Sequence, residues 1–280
     1  MRYRTPASRK QPKLIVFMVD ESKSMEAKYA GKVKNQWVSS SVNSALRNLV
    51  FQCDTADGVR NWVHLCAIGY GGVDQQKPQL RSLFEQQSDW VVPISVIAER
   101  PKRIDSDGRA VYIECAADGW TPMGAAMKLA GAIVRDWVDQ YQSAPAPAVI
   151  NVTDGRPSDE AVSGAVENWV GQLLQLQTSD GPTLLFNTGV PEGDSLLPRC
   201  VLPTVQGLPS GAMDQPDGIG RLWRLASPLP AELLPNAISA GLLNPGDDES
   251  GRRLYVHASS EADLDKLFSF GTQVSSTDPH

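Results

Sequence analysis

An open, doubly wound α/β sheet, mostly parallel and flanked by helices, is the fold this sequence predicts, and three observations predict it. The apolar run Leu14-Ile15-Val16-Phe17-Met18-Val19 stops abruptly at Asp20. It is too short to cross a membrane and too continuous for a half-exposed antiparallel strand, so it reads as a central parallel strand covered on both faces. Similar runs recur at 61–72, around His64-Leu65-Cys66-Ala67-Ile68-Gly69-Tyr70, at 148–152, and at 182–188, around Leu184-Leu185-Phe186. Long helical patterns alternate with these runs, which is the signature of βα units.

In chain order, residues 1–12 form a short basic arm: Arg2, Arg4, Arg9 and Lys10 appear without an acid, and Lys13 follows. Such an arm is expected to be flexible and solvated. Val33, Trp37, Val42, Ala45, Leu46, Leu49 and Val50 recur at helical spacing and predict one helix over 28–53. Residues 73–118 read as an elaborated sheet edge, with short strands at Trp90-Val91-Val92-Pro93-Ile94 and 110–115 around a charged loop. Met127, Ala130, Gly131, Val134, Val138 and Tyr141 define a second helix, and Val162, Val166, Trp169, Val170, Leu173 and Leu174 a third over 160–177. Residues 189–272 read as a C-terminal elaboration. It opens with a loop carrying Pro191, Pro198, Pro203, Pro209 and Pro216 and a short strand at Cys200-Val201-Leu202. A helix then opens at Ser227-Pro228 and must start late or kink at Pro235. A strand at 253–257, a helix capped by Ser260-Glu261-Ala262-Asp263 and a tail over 273–280 complete the chain. One domain over 13–272 accommodates everything, without an internal repeat.

Composition narrows the function. With 26 basic and 32 acidic residues the net charge is −6, which argues against broad binding to nucleic acid or an anionic membrane. The early apolar run ends in an acid and does not read as a secretory signal. Cys53, Cys66, Cys115 and Cys200 show no C-x-x-C spacing, and a reducing, cytoplasmic setting is expected. Asn151-Val152-Thr153 is formally a glycosylation sequon but sits on a buried strand. Asp105, Asp107, Gly108 and Glu114 mimic part of a calcium loop, yet Arg103 stands where its first carboxylate belongs, so an EF-hand is rejected.

Three stretches carry chemistry. Asp20-Glu21-Ser22-Lys23-Ser24 places a carboxylate and two hydroxyls at alternate positions on the mouth of the first strand, where open α/β sheets bind ligands. Gly119-Trp120-Thr121-Pro122-Met123-Gly124 precedes the second helix, and Thr153-Asp154-Gly155-Arg156-Pro157-Ser158-Asp159 closes the third buried strand. An all-oxygen donor set suits a hard cation, Mg²⁺ or Mn²⁺, better than Zn²⁺. Each stretch also has a plainer reading as a helix start: Ser or Asp capping after the first strand, Thr121 as an N-cap ahead of Pro122, and Ser158 as a cap.

Taken in order, D-x-S-x-S, T-P-M-G and T-D-G-x-P-S-D resemble the metal-ion-dependent adhesion site (MIDAS) of von Willebrand factor A (vWA) domains. Ala67 to Gly72, Thr178-Ser179-Asp180-Gly181, Ser227-Pro228-Leu229-Pro230 and the ending 268–272 resemble a bacterial cytoplasmic vWA family, similar to the vWA proteins of tellurite-resistance-type operons. The departures are Trp120, where Gly is common, and Tyr255-Val256-His257-Ala258, where an apolar-Asn-Ala pattern is usual. The resemblance implies metal contacts from Ser22, Ser24 and Thr121, with Asp20 and Asp154 holding coordinated water or moving inward. It implies a non-catalytic, signalling or stress-related interaction module in which an acidic residue of another protein completes the coordination. Candidate partners are a PP2C-type phosphatase, a serine/threonine kinase or an AAA+ ATPase. Glu21, Lys23, Trp120 and Arg156 flank the ligand positions and are the expected rim. The competing reading is a Mg²⁺-dependent hydrolase or phosphohydrolase using the same acids. No phosphate-cradling or nucleophile-elbow motif accompanies them.

Overall fold

Strand β1 (Lys13–Asp20) is the axis about which the chain is wound, and its six apolar side chains from Leu14 to Val19 are fully buried. The computed structural model describes residues 2–29, 31–74, 77–84, 89–190, 199–214, 218–258 and 260–275. Because strand side chains alternate, Ile15, Phe17 and Val19 enter one core, and Leu14, Val16 and Met18 enter a second on the opposite face. The first core is closed by Trp37, Val38, Val42, Leu46 and Leu49 and by Leu264, Leu267 and Phe268. Met127, Ala130, Val134, Val166 and Val170 close the second. Each such buried side chain is worth roughly 1.5–3 kcal/mol relative to exposure.

After β1, a hairpin of β2 (Lys28–Tyr29) and β3 (Lys32–Val33) leads into α1 (Lys34–Cys53), then β4 (Val63–Gly71) and β5 (Gln79–Ser82). The edge adds β6 (Val92–Pro93), α2 (Ile94–Glu99) and the hairpin β7 (Arg103–Ile104) and β8 (Ala110–Val111). Then come α3 (Met123–Gln140), β9 (Ala148–Thr153), α4 (Glu160–Ser163) and α5 (Val166–Leu173). A tight hairpin of β10 (Gln177–Thr178) and β11 (Gly181–Pro182) precedes β12 (Leu184–Gly189). The remainder comprises β13 (Cys200–Val201), α6 (Ile219–Leu225), α7 (Leu234–Ser239), β14 (Tyr255–His257) and α8 (Glu261–Gly271).

The main sheet has the order β13-β14-β12-β9-β1-β4-β5, with β6 also on β4. The pairings β4–β1, β1–β9, β9–β12 and β12–β14 are parallel, and those of β5, β6 and β13 are antiparallel. The chain leaves β1 toward β4 and returns on its other side at β9. The carboxyl ends of β1 and β9 therefore form the crevice where the winding reverses. This is the mostly parallel α/β architecture expected.

Several local expectations are corrected. The helix expected from 28 starts at Lys34, because Lys28–Tyr29 and Lys32–Val33 pair as β2 and β3, with Tyr29 stacked on Trp37 (centroids 6.0 Å apart). The strand expected over 90–94 is only β6, and Ile94 already begins α2, a helix too short to show a period. Of the strand expected over 110–115 only β8 pairs. Beyond it the Asn43 side chain on α1 takes over: its Oδ1 accepts from the N–H groups of Tyr112 (2.7 Å) and Ile113 (3.1 Å), and its Nδ2 donates to Ile113 O (2.9 Å). These buried backbone groups are thus paired without a strand partner. The third helix is broken in two at Gly164, whose φ of +82° an L side chain rarely adopts, and Val162 faces solvent rather than the core. Ser227 does not start a helix. Its hydroxyl accepts from Leu185 N–H (2.9 Å), Pro228 bridges to Arg253, and α7 begins later with Pro235 in its first turn. Helix α6 was not expected, and Pro191, Pro198, Pro216 and 276–280 of the tail lie outside the described residues.

The arm is not a free lead-in. Tyr3 N–H donates to Asp180 O (2.9 Å), Arg4 and Thr5 N–H both donate to Asp180 Oδ1 (2.8 Å), and Ala7, itself buried, donates to Ser275 O (2.7 Å). The other carboxylate oxygen of Asp180 accepts from Ala146 N–H (3.1 Å), so one acid in the β10–β11 turn fastens both the arm and the lead into β9. Asp180→Ala is expected to cost about 2–4 kcal/mol in urea unfolding, since three backbone donors lose a charged acceptor. Combined with deletion of 2–7 the loss should be less than additive. An unchanged midpoint in Asp180→Ala would show that the arm is not held.

Candidate metal centre

Asp20 is the last residue of β1 and Asp154 the first after β9, so parallel pairing of these strands sets two buried carboxylates side by side. Asp20 Oδ1 accepts from Ser22 N–H (2.8 Å), which turns the chain sharply, and Oδ2 accepts from the Thr153 hydroxyl (2.6 Å). The Ser22 and Ser24 hydroxyl oxygens lie 2.9 Å apart, and Ser24 donates to Asp154 Oδ1 (2.6 Å). A Cβ placed on Gly155 would lie 3.1 Å from Thr121 Oγ1 and 3.7 Å from Asp20 Oδ2, so that hydroxyl and that carboxylate converge over the same residue. Sequence-predicted Asp20, Ser22, Ser24, Thr121 and Asp154 are all brought to one crevice. Ser22 and Thr121 are buried, and Ser24 is exposed at the mouth.

The loops are zipped together by backbone. Lys23 N–H donates to Gly119 O (3.0 Å), Asp118 N–H to Glu21 O (2.6 Å) and Trp120 N–H to Gly72 O (2.7 Å). Gly119 has φ +76°, and a Cβ there would meet Gly72 O at 1.9 Å, so only glycine fits this junction. Thr121 and Ser158 exchange bonds: Thr121 N–H donates to Ser158 Oγ and Ser158 N–H to Thr121 O, each 2.9 Å. Neither hydroxyl caps its own helix. The start of α3 is held instead by Asp159, whose carboxylate accepts from Gly124 (3.0 Å) and Ala125 (2.8 Å) N–H. An acid at a helix N-terminus is favourable, and here it also fixes the Thr121 loop against the Asp154 loop.

Among the expected rim residues, Lys23, Trp120 and Arg156 are exposed, Trp120 to 49%. Glu21 is corrected. It is buried, chelates the Arg81 guanidinium (2.6 and 2.8 Å) and accepts from Ala116 N–H (2.5 Å), because the space above Gly69 draws it inward. Sequence reasoning missed Lys34. The first residue of α1, it is 1% exposed, and its ammonium pairs with Asp154 Oδ2. Nothing in its spacing marks it, since a lysine at a helix start usually faces water. A buried polar chain also went unseen. Tyr70 Oη donates to Asn151 (2.8 Å), Asn151 Nδ2 to Asn187 (3.0 Å) and Asn187 Nδ2 to Leu222 O (3.0 Å), with amide orientations assigned from this network.

The donors suit a hard cation: hydroxyls of Ser22, Ser24 and Thr121 with two carboxylates. Among the described residues no group of three or more His, Cys, Asp or Glu side chains is placed to hold a metal. Burial, with the Asp154 charge second, pushes the Asp20 carboxyl up to about 7, against the hydrogen bonds from Ser22 and Thr153. Beside Asp154 and Arg156 lies a cavity of about 140 Å³ that reaches Tyr255 and His257. Tyr255 Oη and both ring nitrogens of His257 are buried without a hydrogen-bond partner among the described residues.

No family model matches this chain, and no curated protein matches it. Its backbone is similar to several solved structures. A von Willebrand factor type A protein from Catenulispora acidiphila is 17% identical with a TM-score of 0.42, over 66% of this chain and 34% of that one. The vWF domain of the type V pili tip protein Mfa5 from Porphyromonas gingivalis is 16% identical with a TM-score of 0.32, over 53% and 39%. Proximal thread matrix protein 1 from the mussel byssus is 11% identical with a TM-score of 0.47, over 95% and 48%. The chain thus spans between about a third and a half of these structures' length. The likeness concerns the course of the backbone, and no site residue is transferred from it. Among the described residues, no helix is long and apolar enough to cross a membrane.

Burial holds His257 down to about 4 from its ordinary 6.5. Between these values the unfolded chain takes up the proton and the folded one does not, so this residue's contribution to stability is lost as pH falls. Asp20, raised from 3.8 to about 7, works in the opposite sense and loses its contribution as pH rises. Comparison with a variant separates them. His257→Asn should gain on the native protein by up to about 3 kcal/mol as pH falls from 6.5 to 4, read by urea unfolding. A pH-independent difference would show that His257 titrates normally in the fold.

Proposed function

We propose that this chain is a non-catalytic interaction module of the vWA type, holding Mg²⁺ or Mn²⁺ through the hydroxyls of Ser22, Ser24 and Thr121, with Asp20 and Asp154 in support. The observation that carries this reading is the hydrogen-bonded row Ser22–Ser24–Asp154 at the mouth of β1 and β9. When bound, a divalent ion supplies a Lewis-acidic centre able to attract a carboxylate from another protein. The chain's own residues do the rest. Asp20 fixes the turn that presents Ser22, Asp154 orients the Ser24 hydroxyl, and Asp159 with Ser158 holds Thr121 in place. Lys23, Trp120 and Arg156 surround the opening and form the partner-binding rim, with Glu21 removed from that role.

The partner is an acidic segment of another protein, with a PP2C-type phosphatase, a serine/threonine kinase or an AAA+ ATPase as candidates in a bacterial signalling or stress complex. A cytoplasmic setting belongs to the same reading, supported by four cysteines that are all free thiols.

Two measurements test it. Replacing Ser22 and Ser24 together by Ala should abolish Mg²⁺ and Mn²⁺ binding in calorimetry while the protein still folds, at a cost of about 1–3 kcal/mol for the hydrogen bond lost from Ser24 to the buried Asp154. Retained affinity would remove the site. Trp120→Ala should weaken capture of an acidic partner by tenfold or more while shifting stability by less than about 0.5 kcal/mol, as befits an exposed interface tryptophan. The competing phosphohydrolase reading requires turnover by purified protein that disappears in Asp154→Ala, whereas the binding reading requires none.

A further inference from the structure

We infer that Lys34 is a resident counter-cation of this site, tethered to Asp154, and that a divalent ion must compete with it. The inference rests on the metal-binding reading above and deepens it. Three observations lead to it. The Lys34 ammonium and the Asp154 carboxylate are both buried, at 1% and 0% side-chain exposure, and are directly paired. Asp154 divides its two oxygens between this ammonium and the Ser24 hydroxyl, so the lysine shares an acid with the hydroxyl row. The position of the lysine is also fixed by the backbone: Lys34 N–H donates to Ala27 O (3.0 Å), tying the start of α1 to the end of the D-x-S-x-S loop.

The charges explain why this matters. Asp20 and Asp154 are two acids in one buried crevice, and a crevice that depended on a divalent ion for its only positive charge would be strained whenever the ion was absent. The Lys34 ammonium offsets one of them permanently. Its presence makes the folded state independent of metal, and it sets the affinity: an ion entering beside Ser22 and Ser24 meets an acid that is already neutralised, a few ångströms from a like charge. The site is consequently one that loads when metal is abundant and empties without unfolding. Once loaded, the extra positive charge makes it a stronger attractor of an acidic partner than the acids and the ion alone would be.

The experiment uses the full chain, Lys34→Met as a near-isosteric neutral variant, Lys34→Gln as a neutral variant that can still donate to Asp154, and Mg²⁺ alone as the probe. In calorimetry both variants should bind Mg²⁺ at least about tenfold more tightly than the native protein, because a like charge has been removed from the site. In EDTA both should melt at lower temperature than the native protein, and saturating Mg²⁺ should restore most of the loss. If neither variant folds in chelator, refolding with Mg²⁺ reads the same claim: recovery with Mg²⁺ but not with Na⁺ supports it, and failure with both overturns it. Unchanged Mg²⁺ affinity in Lys34→Met and Lys34→Gln also overturns it. The Ser22/Ser24 double variant separates the two levels. If it still binds Mg²⁺, the metal-site reading fails and takes this proposal with it. If it has lost Mg²⁺ while the lysine variants bind as the native protein does, only the role of Lys34 fails.

Discussion

Two acids at the ends of adjacent strands of a sheet covered on both faces have to be oriented and compensated with little help from water. That constraint organises the rest of the molecule. Asp20 is fully buried and is compensated by Ser22 N–H and the Thr153 hydroxyl, while Asp154 is compensated by Ser24 and the Lys34 ammonium. Burial without these partners would cost several kcal/mol for each charge. The polar row Tyr70–Asn151–Asn187 joins side chains of β4, β9 and β12 within the buried layer, each amide paired with its neighbour. Such a network is stabilising only when every member is paired, which makes this end of the sheet intolerant of single polar deletions.

The same constraint explains why three separate loops behave as one rigid rim. The D-x-S-x-S loop is bound to the Gly119 loop by backbone, and the Gly119 loop to the Asp154 loop by the reciprocal Thr121–Ser158 bonds and by Asp159 at the start of α3. Glu21 braces the outer side through Arg81 and Ala116. Ligand positions on loops gain the precision of the scaffold only when the loops themselves are pinned, and here acids that might be taken for ligands, Glu21 and Asp159, serve as pins. The side chains of Lys23, Trp120 and Arg156 are exposed on the same three loops.

Much of this was legible in the chain, for physical reasons that differ from part to part. The central strands were visible because burial on both faces forces continuous apolar runs, and β1, β4, β9 and β12 fell where those runs lie. The five residues of the proposed site, Asp20, Ser22, Ser24, Thr121 and Asp154, were singled out by the resemblance of their three motifs to a MIDAS, and the fold gathers them in one crevice. What escaped was anything set by tertiary partners. Glu21 looks like a rim acid until Arg81, distant in sequence, claims it, and the arm looks free until Asp180 does. Asn43 in mid-helix gives no hint that it substitutes for a strand. Lys34 was the costliest omission: at a helix start the default for lysine is water, and only the fold turns it onto Asp154.

The hydroxyls of Ser22, Ser24 and Thr121 are the proposed inner face of a cation site. The most direct measurement is an anomalous difference map from crystals of the full chain grown with Mn²⁺. One strong peak is expected within coordination distance of the Ser22 and Ser24 hydroxyl oxygens. A well-ordered crevice without a peak at millimolar Mn²⁺, with Lys34 still on Asp154, would contradict it and leave a mostly parallel α/β fold whose acids are neutralised by the chain itself.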